Sequence, residues 1–521
     1  MNLSTLSLRE KVAQTAIILH SKDRFVDEPV GGVFIGAQII TEVEDGVAAM
    51  RDTVTRYRNN MAVRPLVMSD FENGCGMMIK GLTPFPYMMS LGCANDEKLA
   101  YEYGKATAME AKTTGANTTF SPVCDLNLNW RNPLVNVRGI SDDTDRAIPL
   151  LRAVIQGMQD NGLGACAKHF PGDGVDWRDQ HLITTVNSLP MDEWRATYGR
   201  VFQAMIDADV SMIMPGHIAL PAYTGDKMPA TLSKKLMTDL LKGEMGFRGV
   251  IVSDATNMGG FNGYYETKTE AEVACFAAGC DLILWPTDKY IDAVTAAIEA
   301  GEIPMSRLDD AIARIQAIKD KYIPANDAYP ELTEQEKAYV KDVGRRVGEQ
   351  SITLVRNEAD LLPLKSAPKK VLLCSTVNHA QALPAMERLE KELEKRGAQV
   401  THLQVLPTGA KPTPGVNFDR DAKNCDLIIY AFYSRSFRPV GPIDFSAERT
   451  RFISGAWRVP RDKAVTVSFG SPYFVEQYFE RSQTVVNAYS MMEDSVVGFV
   501  RALYGEVPFT EDSPVNVHLD R

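Results

Sequence analysis

Three groups of side chains in this sequence have the types and spacing to carry out covalent chemistry. Asp254 ends the apolar run VIVSDA. A carboxylate just past a fully apolar strand is held rigidly, and such a group can act as a nucleophile. On position alone it could equally cap the next helix or pair with a cation on it. The second group is KHFPGDGVDWRDQH, Lys168 to His181, which places two histidines and three aspartates in what reads as a strand end followed by a loop. Within it Asp179 and His181 form a DxH pair. An aspartate near an imidazole can fix its tautomer and raise its basicity, giving an acid/base poised near neutral pH, although a loop histidine capped by a nearby aspartate is also a common structural feature. A metal site is the minority reading, because His169 sits at the strand end, while Asp179 and His181 lie past two glycines without the helical spacing of HExxH. The third group is Asp70, Arg138, Lys168 and His169, polar side chains able to hold the hydroxyls of a neutral sugar. Trp130, Trp177 and Phe261 offer stacking faces, with core packing the commoner role for any one aromatic. A rigid carboxylate on one strand and an acid/base on a mobile loop are what double displacement at an anomeric carbon requires.

These residues need elements to position them. From residue 30 to about residue 286 the chain repeats a short apolar run, a polar loop and a helical pattern. The runs are VGGVFIG, RPLVMSD, NTTFSPVCD, GLGACAKHF, VSMIMPGHI, GVIVSDA and CDLILWP. They are continuous rather than alternating, as expected for parallel strands buried on both faces. Trp194, Tyr198, Phe202 and Met205 recur at helical spacing after Pro190. Seven or eight such units predict a barrel or something close to one, whose reactive residues stand where strands end. Asp70, Asp125, Lys168 with His169, His217 and Asp254 each follow a strand in this way. At the N-terminus Leu8, Val12, Ala16 and Leu19 fall at helical spacing and predict a docking helix.

Around residues 324–350 the composition shifts to a Pro-containing segment and a charged helix, which is taken as the boundary. Beyond it ITLVRN, KKVLLCST, CDLIIYAFY, AVTVSFG and TVVNAYS read as strands, and AMERLEKELEKRG as an amphipathic helix. That pattern predicts a second α/β domain with an open, largely parallel sheet. Neither half shows a phosphate-binding glycine loop between strand and helix.

A chain of 521 residues exceeds what one core usually supports, so two domains are expected. The net charge of −11 argues against nucleic acid and anionic membrane as partners and favours a small neutral substrate. Cys75, Cys93, Cys124, Cys166, Cys275, Cys280, Cys374 and Cys425 are scattered through apolar runs, which predicts reduced core cysteines in a cytoplasmic protein. No run approaches the ~18 apolar residues of a membrane span.

In order and at the expected spacing, SDFENG with TPFP, SPVCDLNLNWRNPLVNVRGISDD, KHFPGDGVDWRDQH, MPGHIALPAY, VIVSDA and AGCDLILWP resemble glycoside hydrolase family 3. SITLVRN with LLPL, FGSPY and VNAYS resemble its second domain, so the likeness covers nearly the whole chain. It implies an α/β fold made of an N-terminal (β/α)8 TIM-like barrel over residues 1–325, a helical linker over 326–350 and a C-terminal α/β sandwich domain over 351–521. The DxH pair resembles the β-N-acetylglucosaminidase branch. Carried over, Asp254 is the nucleophile, His181 the acid/base and Asp179 its orienting partner, while Asp70, Arg138, Lys168 and His169 bind the sugar, with no metal and no cofactor. The implied partner is a small carbohydrate or glycopeptide substrate, with a homodimer left open. A neutral imidazole would not repel an anionic attacker, which opens phosphorolysis as an alternative beside β-glucosidase or β-xylosidase activity. A non-catalytic sugar-binding protein that keeps the fold is a further alternative, disfavoured by the presence of both Asp254 and His181. The chain departs from the family pattern at Met78, where an arginine is common, and at Asn73, where a glycine is usual. Lys80 nearby cannot reproduce a bidentate fork.

Overall fold

Short apolar runs without polar alternation make strands buried on both faces, and parallel pairing lets each run sit between two helices. The computed structural model describes residues 2–21, 28–36, 44–326, 328–405, 418–435 and 461–517. Its contacts divide the chain into one unit of residues 1–84, 100–132 and 144–341, and another of residues 85–99, 133–143 and 342–521.

In the first unit the parallel strands are β1 (Ala16–Leu19), β2 (Gly32–Phe34), β3 (Leu66–Ser69), β4 (Thr118–Thr119) and β5 (Cys166–Phe170). A two-residue strand, β6 (Thr185–Val186), precedes β7 (Met212–Pro215), and β8 (Ile218–Ala219) precedes β9 (Val250–Ile251) and β10 (Ile283–Leu284). The order β10-β1-β2-β3-β4 forms one sheet and β5-β7-β9 another, while β6 pairs only with β8. Single parallel bridges from Thr118 to Gly164 and from Val252 to Leu282 carry the pairing from β4 towards β5 and from β9 to β10. The parallel neighbours therefore follow chain order and return to β1, giving a curled parallel sheet.

Each apolar run from residue 30 to 286 supplies one of these strands. The N-terminal expectation needs correction. Only Leu8–Ala13 is helical, closed at its start by a capping box between Ser7 and Glu10, and Ala16–Leu19 is strand β1. A buried strand is apolar at every position, so its residues also satisfy a helical period by chance, and Gln14 and Thr15 mark the true break. Trp194, Tyr198, Phe202 and Met205 do share the buried face of a helical run, which passes through a π-helical turn at Arg195–Gly199.

The second unit holds a six-stranded sheet built from β11 (Thr353–Asn357), β12 (Lys370–Val377), β13 (Gln399–Val405), β14 (Leu427–Tyr433), β15 (Ala464–Ser468) and β16 (Thr484–Asn487). Its order is β11-β16-β15-β14-β12-β13, parallel throughout except for β11 against β16. Strand β13 was not among the sequence expectations. It lies at the sheet edge, where only one side needs to be apolar, and its polar residues Gln399, Thr401, His402 and Gln404 mask the pattern. The charged stretch after residue 333 is the helix Glu334–Gln350, within which the division between units falls. Among the described residues no helix is long and apolar enough to cross a membrane.

Candidate active site

Strand β5 delivers Lys168 and His169 as its last polar residues, both buried. The Lys168 ammonium lies 3.0 Å from Asp70 and 2.7 Å from Glu72, the first two acidic residues after β3. One cation thus serves two carboxylates. Asp70 keeps 38% of its side-chain surface exposed, which leaves it room to bind a ligand. His169 is fixed from the other side. Its Nδ1 lies 2.7 Å from Asp125 Oδ2, and its backbone N–H donates to Asp125 Oδ1 at 3.1 Å. A carboxylate only accepts, so Nδ1 carries the proton and Nε2 is turned towards Asp254 Oδ2, 4.0 Å away.

Asp254 follows β9 and is 13% exposed. Burial works to raise its carboxyl, but the fields of His169, His217 and His181 and the Ala255 amide outweigh burial and hold it below the usual range. It is therefore an anion at neutral pH. His217 is fully buried between the Thr231 hydroxyl, 2.9 Å from Nδ1, and the Ala255 carbonyl, 3.0 Å from Nε2. A carbonyl only accepts, so Nε2 holds a proton, and burial depresses this imidazole below its ordinary value.

The loop after β5 is shaped by two glycines. Gly172 and Gly174 have φ of 117° and 102°, and a Cβ would fall 2.1 Å from the Tyr198 ring at the first and 1.9 Å from the Leu126 carbonyl at the second. The loop is then fastened along its length. Trp194 Nε1 donates to the Pro171 carbonyl, Asn187 to that of Gly172 and Asn129 to that of Val175. Asp176 accepts from the Arg178 guanidinium and the Val186 amide. Asp173 is buried, and burial together with the Asp125 carboxylate raises its carboxyl to about 7.

At the far end of this loop His181 Nδ1 lies 2.8 Å from Asp179 Oδ1, which also accepts the His181 amide at 2.8 Å. Asp179 is fully buried, while 38% of the His181 side chain is exposed. The pair thus has a hidden orienter and an accessible imidazole whose Nε2 is free for proton transfer. The amides of Gly259 and Gly260 donate to the His181 and Gln180 carbonyls, stitching the loop to the segment after Asp254.

Six of the seven expected residues, Asp70, Lys168, His169, Asp179, His181 and Asp254, thus stand at the carboxyl ends of one curled sheet. The seventh, Arg138, belongs to the other unit, where it is half-buried on the turn Asn136–Arg138 and donates to the Leu134 carbonyl. Met78 is half-buried and Lys80 exposed. Of the aromatic candidates, Phe261 is fully buried with its ring 5.2 Å from that of His217, whereas Trp177 is 52% exposed on the loop. The sequence reading gave no role to Glu72, Asp173 or Gln180, although the SDFENG acidic pair contains Glu72 and the three aspartates of the Lys168–His181 stretch include Asp173. Among the described residues no group of three or more His, Cys, Asp or Glu is arranged to hold a metal ion.

Residues 7–318 match the family model of the glycosyl hydrolase family 3 N terminal domain. The chain is 30% identical over 549 aligned residues to a Cellulomonas fimi protein named beta-N-acetylglucosaminidase/beta-glucosidase, covering 99% of this chain and 94% of that one. A solved beta-glucoside phosphorylase, BglX, superposes with a TM-score of 0.86 at 28% identity, over 99% of this chain and 94% of the other. A family 3 beta-N-acetylglucosaminidase from Paenibacillus sp. str. FPU-7 does so with a TM-score of 0.85 at 25% identity, over 99% of this chain and 100% of the other.

Proposed function

Because this chain belongs to glycosyl hydrolase family 3, we propose that it is a retaining, exo-acting β-N-acetylglucosaminidase that releases terminal β-linked N-acetylglucosamine. Asp254 is the nucleophile, His181 the acid/base and Asp179 its orienting partner. Asp70, Lys168, His169 and Arg138 hold the sugar. In the first step an Asp254 oxygen bonds to the anomeric carbon as the glycosidic bond breaks, and the departing oxygen takes the proton from His181 Nε2. In the second step water gives a proton back to His181, its oxygen attacks the anomeric carbon, and Asp254 leaves as a carboxylate.

The observation that carries this reading is the buried Asp179 carboxylate 2.8 Å from His181 Nδ1, on a loop hydrogen-bonded to the segment that follows the anionic Asp254. The pairing supports a histidinium that can serve as the acid and, once neutral, as the base. The test is a panel of aryl β-glycosides with and without the 2-acetamido group, run with and without phosphate. Turnover of the acetamido sugar to free N-acetylglucosamine is expected. Preference for the plain glucoside or xyloside would move the chain to another activity of its family.

Phosphorolysis is the second reading. After its first proton transfer a His181 imidazole is neutral and does not repel phosphate, and one similar structure is named a beta-glucoside phosphorylase. Phosphate-dependent release of sugar 1-phosphate would establish it. The curled parallel sheet and its closing bridges support a (β/α)8 TIM-like barrel over residues 1–325. The six-stranded sheet supports an α/β sandwich over 351–521, with the helical linker over 326–350. Eight unpaired thiols, seven of them buried, support a reducing, cytoplasmic setting.

A further inference from the structure

We propose that Gln180, the residue between the two members of the dyad, is a positioning residue whose side-chain amide clasps the loop to the strand ends and so fixes where His181 stands. The inference rests on the reading of His181 as the acid/base. Gln180 is 2% exposed, although it lies in a polar surface loop beside a half-exposed histidine. Its Nε2 donates to Asp173 Oδ2 at 3.2 Å, its Oε1 accepts the His217 amide at 2.9 Å, and its carbonyl accepts the Gly260 amide at 3.0 Å.

Each of these partners is itself tied to the reacting groups. The Asp173 amide donates to Asp125 Oδ1, and Asp125 holds His169. The His217 Nε2 reaches the carbonyl of Ala255, the residue after Asp254. One side-chain amide therefore joins the base of the loop, the end of β7 and the neighbourhood of Asp254. Space has been cleared for it. A Cβ on Gly216 would fall 2.9 Å from Gln180 Oε1 and 3.0 Å from His169 Cβ, and one on Gly260 would fall 2.6 Å from the Gln180 carbonyl.

The chemistry gives this clasp its weight. Proton transfer needs the imidazole within hydrogen-bond reach of the glycosidic oxygen, and a displacement of about 1 Å can cost about 10²-fold. The Asp179 contact sets the ring's tautomer and tilt, but Asp179 rides on the same loop. Gln180 ties the loop to other elements, through Asp173 on one side and the His217 amide on the other. A shorter side chain at this position would not span Asp173 and the His217 amide together.

The experiment compares wild type, Gln180→Ala, Gln180→Glu, the double variant Asp173→Asn/Gln180→Glu and His181→Ala on two aryl N-acetylglucosaminides. One carries a 2,4-dinitrophenyl group, which departs without protonation, and the other a poorly acidic phenol. Gln180→Ala is expected to lose about 10- to 100-fold in kcat/KM, which reports the first step, on the poor leaving group and less than about threefold on the activated one, since two buried hydrogen bonds are lost. Assayed well above pH 7, where Asp173 has lost its proton, Gln180→Glu sets a second carboxylate against Asp173 and should be worse. The double variant should recover, because Asn at 173 donates to Glu at 180, which still accepts the His217 amide. Equal slowing on both leaving groups would reduce Gln180 to a structural role and overturn the proposal, as would a double variant no better than Gln180→Glu. If Gln180→Ala does not fold, the comparison between the single and double glutamate variants decides. A flat leaving-group response in His181→Ala would remove the acid/base reading and the clasp with it. A steep response there with a flat one in Gln180→Ala would remove the clasp alone.

Discussion

Where the parallel strands of the first unit begin, Asp281 is fully buried and accepts from Lys242 at 2.8 Å, Arg307 at 3.0 Å and the Ile251 amide at 2.8 Å. Where they finish, Asp254 is also nearly buried, yet among the described residues it is paired with His169 Nε2 at 4.0 Å and accepts a hydrogen bond from the neighbouring Ala255 amide at 2.7 Å. The same residue type is saturated at one end and left underbonded at the other. Asp310 extends the same network at the surface, bound by Lys242 at 2.9 Å and Arg314 at 2.9 Å, while the Arg314 guanidinium also reaches the carbonyls of Phe247 and Gly249. Asp70 repeats the second, sharing one lysine with Glu72 and remaining open to solvent. A carboxylate whose lone pairs are all used holds elements together. One kept anionic by nearby imidazoles, with acceptor capacity left over, is available to a substrate.

The largest expected effects separate these two roles. Asp254→Asn should reduce kcat on an aryl N-acetylglucosaminide by on the order of 10⁴-fold or more, with little change in the urea midpoint, because it removes the nucleophile and no network. A variant with near-native rates would show that the underbonded carboxylate is not the reacting one. Asp281→Ala should do the reverse. Leaving Lys242 and Arg307 buried without their shared anion should cost about 3–5 kcal/mol in equilibrium unfolding, with kcat/KM of the remaining folded enzyme unchanged. Loss of activity in step with the lost stability is acceptable there, but a large change in kcat on fully folded protein would erase the distinction. His181→Ala comes next, at about 10²–10⁴-fold on poor leaving groups and far less on activated ones, read from a plot of rate against leaving-group pKa.

The sequence announces the reacting end far better than the other. Asp254, Lys168 and His169 are legible because each stands at the end of an apolar run, and the Asp179–His181 pair because its DxH spacing lies on the polar loop that follows one. Strand β1 was misread as helix because four consecutive apolar residues satisfy both periods, and β6 and β8 are two-residue strands that leave no pattern. The roles of Gln180 and Asp173 were not legible for a different reason. Their partners, His217 and Asn132, lie 37 and 41 residues away, so their burial is decided by tertiary packing that local composition does not carry. The saturated Asp281 stood at the head of the run CDLILWP without a visible role, since its cations come from positions 39 residues before it and 26 after it.

The smallest effect is a pair of opposite pH dependences, one at each end. Burial and the Asp125 carboxylate raise Asp173 from 3.8 to about 7, so the folded state holds this proton more tightly than the unfolded chain does. Its contribution to stability is therefore full below about pH 4 and is lost as pH rises through about 7. At the strand beginnings Lys319 donates to Gln14 Oε1 at 2.5 Å and to the Arg64 carbonyl at 3.0 Å, and burial lowers it from 10.5 to about 7. Here the folded state releases its proton first, so the contribution is full above about pH 10.5 and is lost as pH falls through about 7. Each group can tilt the stability curve by up to about 1.4 kcal/mol per pH unit within its own window. Asp173→Asn should flatten the curve between about pH 4 and 7 and also lower kcat, because Asp173 anchors Gln180. Lys319→Met should flatten it between about pH 7 and 10.5 and leave kcat alone. Urea midpoints taken across this range for the three proteins decide the matter. Curves that stay parallel to wild type would mean that neither proton is held as the burial of these groups requires, and a fall in kcat for Lys319→Met would mean that the two ends are not separate in function.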